Sequence, residues 1–156
     1  MNILKSAVTL VAGAAALIAG TTVAATAADP AGLRAASLRQ AADKVLADRH
    51  QPLSVSADAV RYEGLTVTDA PRTKAAQDLA CAYGHLCMIV NGTKFDFYKC
   101  QTWNVTNWSG NGPFTNNQTS GTVAKFNNKD GSVRWTSRAY QAGTATWDPI
   151  WSVRPC

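Results

Sequence analysis

Four cysteines constrain this chain more than any other feature, because Cys81, Cys87, Cys100 and Cys156 all lie in its second half. What they do depends on where the chain goes. Met1-Asn2-Ile3-Leu4-Lys5 supplies a short amino end with one positive charge, and Ser6 to Gly20 an apolar run rich in Ala, Val and Leu. Ala25-Thr26-Ala27 gives the small-x-small pattern of a signal-peptidase site, with Asp29-Pro30 just beyond it. The apolar stretch is shorter than the roughly 20 residues of a spanning helix, so residues 1–28 read as a cleaved secretory signal. The product is expected to be secreted, extracellular, and free of the membrane after cleavage. In an oxidising compartment an even number of cysteines reads as a disulfide framework. A unit as short as residues 81–156 buries only about 60–65% of its unfolded surface and needs such cross-links.

Beyond the signal the chain has two characters. Residues 29–80 balance seven Lys/Arg against seven Asp/Glu, whereas residues 81–156 carry seven Lys/Arg against three Asp. Between Ala31 and Arg49, the residues Leu33, Leu38, Ala41, Ala42, Val45 and Leu46 recur at helical spacing, stopped near His50-Gln51-Pro52. Leu53 to Tyr62 and Leu65 to Thr68 then alternate apolar and polar around Glu63-Gly64, the pattern of a β-hairpin. Pro71 and several charges between Asp69 and Leu79 read as a linker or pro-segment boundary. Residues 29–80 are therefore expected as a helix-plus-hairpin spacer or pro-region, with the domain boundary near Ala80.

After Cys81 short β-prone runs alternate with Asn/Gly turns. Leu86 to Val90 and Lys94 to Tyr98 flank Asn91-Gly92, the strongest short hairpin signal. Gly121 to Phe126 and Ser132 to Thr136 flank Asn127 to Gly131, and a last run spans Ile150 to Val153. All five Trp and all four Phe fall in this part, enough for the core of an all-β domain.

Catalytic chemistry has little to work with there. Residues 81–156 contain no Glu, three separated aspartates (Asp96, Asp130, Asp148) and one histidine, His85, beside a cysteine pair. A glycosidase generally needs two facing carboxylates and a nucleophile triad needs a free histidine base, so no enzyme and no cofactor are expected. A zinc reading of Cys81, His85 and Cys87 lacks a fourth ligand, and no metal is expected. Trp103, Trp108, Trp135, Trp147 and Trp151, interleaved with Lys and Arg, suggest a second class of function: an aromatic, basic face for cell-wall polysaccharide. Such tryptophans also serve as core or cross-strand pairs. Nothing resembles a nucleic-acid reader motif, so no nucleic-acid partner is expected.

Cys81-Ala82-Tyr83-Gly84-His85-Leu86-Cys87 resembles the opening C-x-x-G-x-x-C of the secreted actinobacterial peptidase inhibitors of family I36, which include metalloprotease inhibitors. The upstream layout of signal, helix, hairpin ending in Val60-Arg61-Tyr62-Glu63-Gly64, and polar spacer is similar to their precursors. The resemblance implies an all-β, βγ-crystallin-like Greek-key sandwich with two disulfides. It also implies a monomeric inhibitor of an extracellular protease, acting through a rigid, substrate-like loop. Loop geometry and the resemblance together favour Cys81 with Cys87 and Cys100 with Cys156. If Cys81 and Cys87 are joined, the segment between them cannot be extended, since it would span roughly 20 Å against the about 4.4–6.8 Å a disulfide allows between Cα atoms. Gly84 permits the turn.

Asn116-Asn117-Gln118-Thr119-Ser120 resembles the βγ-crystallin calcium signature. Asn116, Asn117 and Ser120 match it, but Gly121 replaces its final Ser. Calcium prefers carboxylates among six to eight oxygens, so weak or absent binding is expected. No family reactive bond aligns with this chain. On general grounds the stretch from Asn107 to Thr115 is the candidate inhibitory loop, with Trp108, Pro113, Phe114 and Thr115 as its contact residues; the alternative, favoured by the residues alone, is an ordinary connection with Phe114 in the core.

Overall fold

A computed structural model describes residues 29–48, 50–71 and 79–156. Residues 1–28, read as a secretory signal, and residues 72–78 of the expected linker lie outside the described residues. Helix α1 (Pro30–Val45) starts at Asp29, whose carboxylate accepts from the Ala31 N–H at 3.3 Å, with Pro30 in the first turn where its missing N–H costs nothing. Its buried stripe is Leu38, Ala42 and Val45. Leu46 leaves the helix in an extended conformation and bridges Val105, and Thr106 N–H donates to Val45 C=O at 3.0 Å. No described helix is long and apolar enough to cross a membrane.

Eleven strands follow: β1 (Ser54–Val55), β2 (Val60–Tyr62), β3 (Leu65–Asp69), β4 (His85–Val90), β5 (Thr93–Phe97), β6 (Trp103–Asn104), β7 (Asn111–Asn117), β8 (Val123–Asn127), β9 (Val133–Arg138), β10 (Gln141–Thr146) and β11 (Ser152–Arg154). They form two antiparallel sheets, one in the order β1-β2-β3-β5-β4-β7-β10 and one in the order β6-β11-β8-β9. The strands from β4 onward fall into two sets of four. In each set the first, second and fourth strands are neighbours, and the third crosses to the other sheet: β6 pairs with β11, and β10 with β7. The two sets therefore exchange one strand each.

Residues 29–71, expected as a spacer ahead of a boundary near Ala80, add three strands to the larger sheet. β3 pairs with β5 from Leu65 opposite Phe97 to Asp69 opposite Thr93. Leu38, Ala42, Val60, Tyr62, Leu65 and Val67 are buried in one cluster with Met88, Phe95, Phe97 and Trp103. The physical reason is size: one helix and one hairpin cannot close a core, so their apolar faces complete the neighbouring one. In packing, no boundary near Ala80 separates two cores.

The sheets meet through aromatic rings. Phe126 of β8 stacks on Trp135 of β9 at 3.7 Å between centroids, and Phe114 of β7 lies 5.4 Å from Trp135. Trp147, just past β10, is fully buried and donates its indole N–H to Ile89 C=O at 2.9 Å. Gly112 makes room for this: a Cβ there would stand 2.1 Å from the Ile89 oxygen and 2.6 Å from the indole nitrogen. β7, part of which was expected as a loop, tolerates Pro113 because its pairing with β4 ends at Phe114, so Pro113 lies opposite only Thr144 of β10.

Candidate functional site

Cys81 is bonded to Cys87, with 5.6 Å between Cα atoms, and Cys100 to Cys156, with 5.3 Å. The first bond closes a short loop onto the larger sheet, because Cys87 is fully buried in β4. Gly84, at φ +87°, turns the chain back. Its N–H donates to Asn117 C=O at 2.8 Å, and His85 N–H donates to Ala82 C=O at 3.1 Å. The Asn117 amide donates to Cys81 C=O at 2.9 Å, and Lys94 Nζ to Ala80 C=O at 2.6 Å. A disulfide and these polar contacts thus hold the loop from both sides, while Tyr83 at its apex is 72% exposed. Beside it, Leu79, Cys81, Asn117 and Ala142 line a cleft of about 260 Å³ whose far wall carries Tyr140, itself 69% exposed.

Below the loop, His85 Nδ1 lies 2.5 Å from Asp96 Oδ1. With the carboxylate accepting, the ring N–H at Nδ1 is the donor of this bond. The Lys94 ammonium stands 3.9 Å from the other carboxylate oxygen, and the Tyr98 ring 5.6 Å from the imidazole. Among the described residues Asp96 is the side chain hydrogen-bonded to this imidazole, and the pair links β4 to β5. It braces the loop base. Among the described residues no group of three His, Cys, Asp or Glu is placed to hold a metal ion.

The asparagine stretch is part of the same construction. Asn116 is fully buried and donates to Ser137 C=O at 2.9 Å, while its own carbonyl accepts from Gln118 at 3.0 Å. Gln118 also donates to Pro155 C=O at 2.5 Å, tying this turn to the end of β11 that Cys156 anchors. Asn116 and Asn117 therefore spend their amides on the protein, and Ser120 is exposed.

The residues proposed as an inhibitory loop are placed differently. Trp108, Phe114 and Thr115 are buried and Pro113 is partly covered, so these side chains are not presented to a partner's cleft. Phe114 and Thr115 sit in the middle of β7 and Trp108 packs edge-on against Trp147 at 5.6 Å, whereas Asn107 and Ser109 to Asn111 of the same stretch are exposed. Nor do the five tryptophans form one face: Trp103, Trp108 and Trp147 are core, Trp135 is partly buried, and Trp151 is exposed beneath the Lys129 ammonium, 4.9 Å from its ring. Sequence reasoning did not single out Tyr83 and Tyr140, two exposed aromatic residues. The signal for Tyr83 lay between the two cysteines; Tyr140 carried none. Compared with protein families, with curated proteins and with solved structures, the chain matches none.

Proposed function

We propose that this protein is a secreted inhibitor of extracellular peptidases of the I36 type, directed at metalloproteases, with a βγ-crystallin-like Greek-key sandwich as scaffold. The fold part of this reading draws on the exchange of the third strand between two four-strand sets. The functional part rests on one observation: Tyr83 stands exposed at the tip of a loop closed by Cys81–Cys87. An inhibitor must offer a side chain to the protease without the cost of ordering the segment that carries it, about 0.5–1.5 kcal/mol per immobilised side chain. Here that ordering precedes binding. The Tyr83 ring fills an apolar specificity pocket, and Tyr140 across the cleft widens the contact. Extracellular delivery by residues 1–28 belongs to the same proposal, as does a monomeric state.

The test is titration of residues 29–156 against thermolysin-type metalloproteases and, in parallel, secreted serine proteases. Inhibition at micromolar protein is expected, weakened at least about tenfold by Tyr83→Ala, since full burial of a large apolar side chain contributes about 1.5–3 kcal/mol. No inhibition by the unaltered protein sinks the reading. Retention on peptidoglycan or chitin, lost in Trp151→Ala, would favour polysaccharide binding instead, the reading supported by the exposed Trp151 and Lys129. Calcium at millimolar concentration is expected to leave the melting temperature unchanged, because the Asn116 to Ser120 turn offers no carboxylate.

A further inference from the structure

Each sheet ends in two strands that have a neighbour on one side only: β1 and β10 in the larger, β6 and β9 in the smaller. β1 and β6 are two residues long, and β9 carries Arg134 and Arg138. β10 is different. Gln141-Ala142-Gly143-Thr144-Ala145-Thr146 has no charge and no proline, and it pairs with β7 in six consecutive registers without a bulge. On its other side it pairs with no strand among the described residues. Edge strands are ordinarily blunted by lysine, proline, bulges or short length, because a flat bare edge recruits another strand. β10 has none of these guards.

Next to that edge lies an open slot of about 320 Å³ between the two sheets, lined by Phe114, Trp135, Thr144 and Ala145, with Arg134 at its rim. Trp135 is held in place by its stack on Phe126. Gly143 of β10 lies beside the buried Phe114 ring, where a Cβ would stand 3.5 Å from Phe114 Cε1, an ordinary contact distance. The volume is at the bottom of the range of about 300–1,000 Å³ for small-molecule pockets, suited to one side chain. The slot lining includes no carboxylate, and among the described residues Arg134 forms no ion pair.

We infer that β10 is a peptide-docking edge: an extended segment of a partner protein adds to the sheet as a further strand, places an aromatic side chain in the Phe114–Trp135 slot, and sets an acidic residue against Arg134. Main-chain hydrogen bonds along β10 supply affinity and the slot supplies choice of side chain, the division of labour of β-strand addition. This surface adjoins the cleft beside the Tyr83 loop at Ala142, but the inference does not depend on the inhibitor reading.

The experiment uses ¹⁵N-labelled residues 29–156 and the blocked peptide acetyl-Thr-Glu-Thr-Phe-Thr-Glu-Thr-amide. Amide shifts and slowed hydrogen exchange are expected along Gln141 to Thr146. Replacing the peptide's Phe by Ala weakens binding at least about tenfold, and N-methylating alternate peptide amides on the pairing edge abolishes it. Arg134→Glu, at an exposed position, weakens the acidic peptide, and changing the peptide's Glu residues to Lys restores binding to that variant. No binding at millimolar peptide overturns the inference, as do shifts that map to β9 or to β1. Concentration-dependent shifts of β10 without peptide also overturn it, by assigning the edge to a second copy of the chain.

Discussion

The larger sheet treats the far sides of its central strands in opposite ways. Beyond β5 lie three further strands, with α1 packed over β2 and β3; beyond β7 lies β10 alone, bare along its length. The difference follows from what each side presents. β5 alternates buried Phe95 and Phe97 with half-covered Lys94 and Asp96, and Leu65 and Val67 of β3 complete that apolar row. β10 exposes small, uncharged residues, which water tolerates and a passing strand can pair with. One side is finished within the chain. The other has no further strand among the described residues.

The comparison breaks most readily by removing the cover. A chain beginning at Leu79 lacks α1 and β1 to β3, and it is expected to lose its cooperative thermal transition in calorimetry. Retention of the parent melting temperature would mean that the cover contributes nothing. The covered side is also tied to the chain end, because Cys100 follows β5 and bonds Cys156. Replacing both with Ser is expected to cost about 4 kcal/mol on the chain-entropy model, and replacing Cys81 and Cys87 about 2 kcal/mol, because the second pair closes a much shorter loop. Denaturant midpoints under matched conditions rank them.

Point changes sharpen the contrast. Leu65→Ala, in the covered interface, is expected to cost about 2–4 kcal/mol, whereas Thr144→Lys on the open edge stays within about 0.5 kcal/mol. Equal losses would erase the distinction between the two sides. The smallest effect concerns Tyr62, whose hydroxyl is buried without a hydrogen-bond partner among the described residues. Tyr62→Phe therefore costs little at neutral pH. Burial pushes the Tyr62 phenol above its ordinary value, against the opposing charge of Arg39. A group raised in the folded state contributes stability that is whole below its unfolded value of about 10 and is lost as pH climbs past it. Melting temperature is accordingly expected to fall more steeply above about pH 10 in the parent than in Tyr62→Phe.

Much of the framework was legible locally. Leu38, Ala42 and Val45 of the α1 stripe followed from residue spacing, although Leu33 is exposed and Leu46 lies past the helix, and the β4–β5 and β8–β9 hairpins followed from Asn91-Gly92 and from Asn127 to Gly131. Counting back from Asn91-Gly92 even places His85 opposite Tyr98 and diagonal to Asp96, so that pair was recoverable from register. β7 and β10 were not legible, because strand-disfavouring Asn, Gly, Pro and Ala outnumber Phe and Thr in them and both strands are fixed by their neighbours. The same composition made Trp108 and Phe114 look like loop residues when their burial is decided by Trp147 and Trp135 across the sandwich. The spacer reading of residues 29–80 stopped short for a related reason: nothing within β3 announces that its partner is a strand beginning at Thr93.

The Cys81–Cys87 bond carries a consequence for any cleavage of the loop it closes. A peptide bond hydrolysed between Ala82 and Leu86 opens the backbone without dividing the chain, because the disulfide spans the cut. The nicked form gains one water in mass and separates into two pieces only after reduction. Its new amino and carboxyl ends stay within a few residues of each other, tethered by the disulfide, by Asn117 on one side and by β4 on the other. Scission and resealing then become two states of one folded object, and a protease that cuts this loop has not disposed of it.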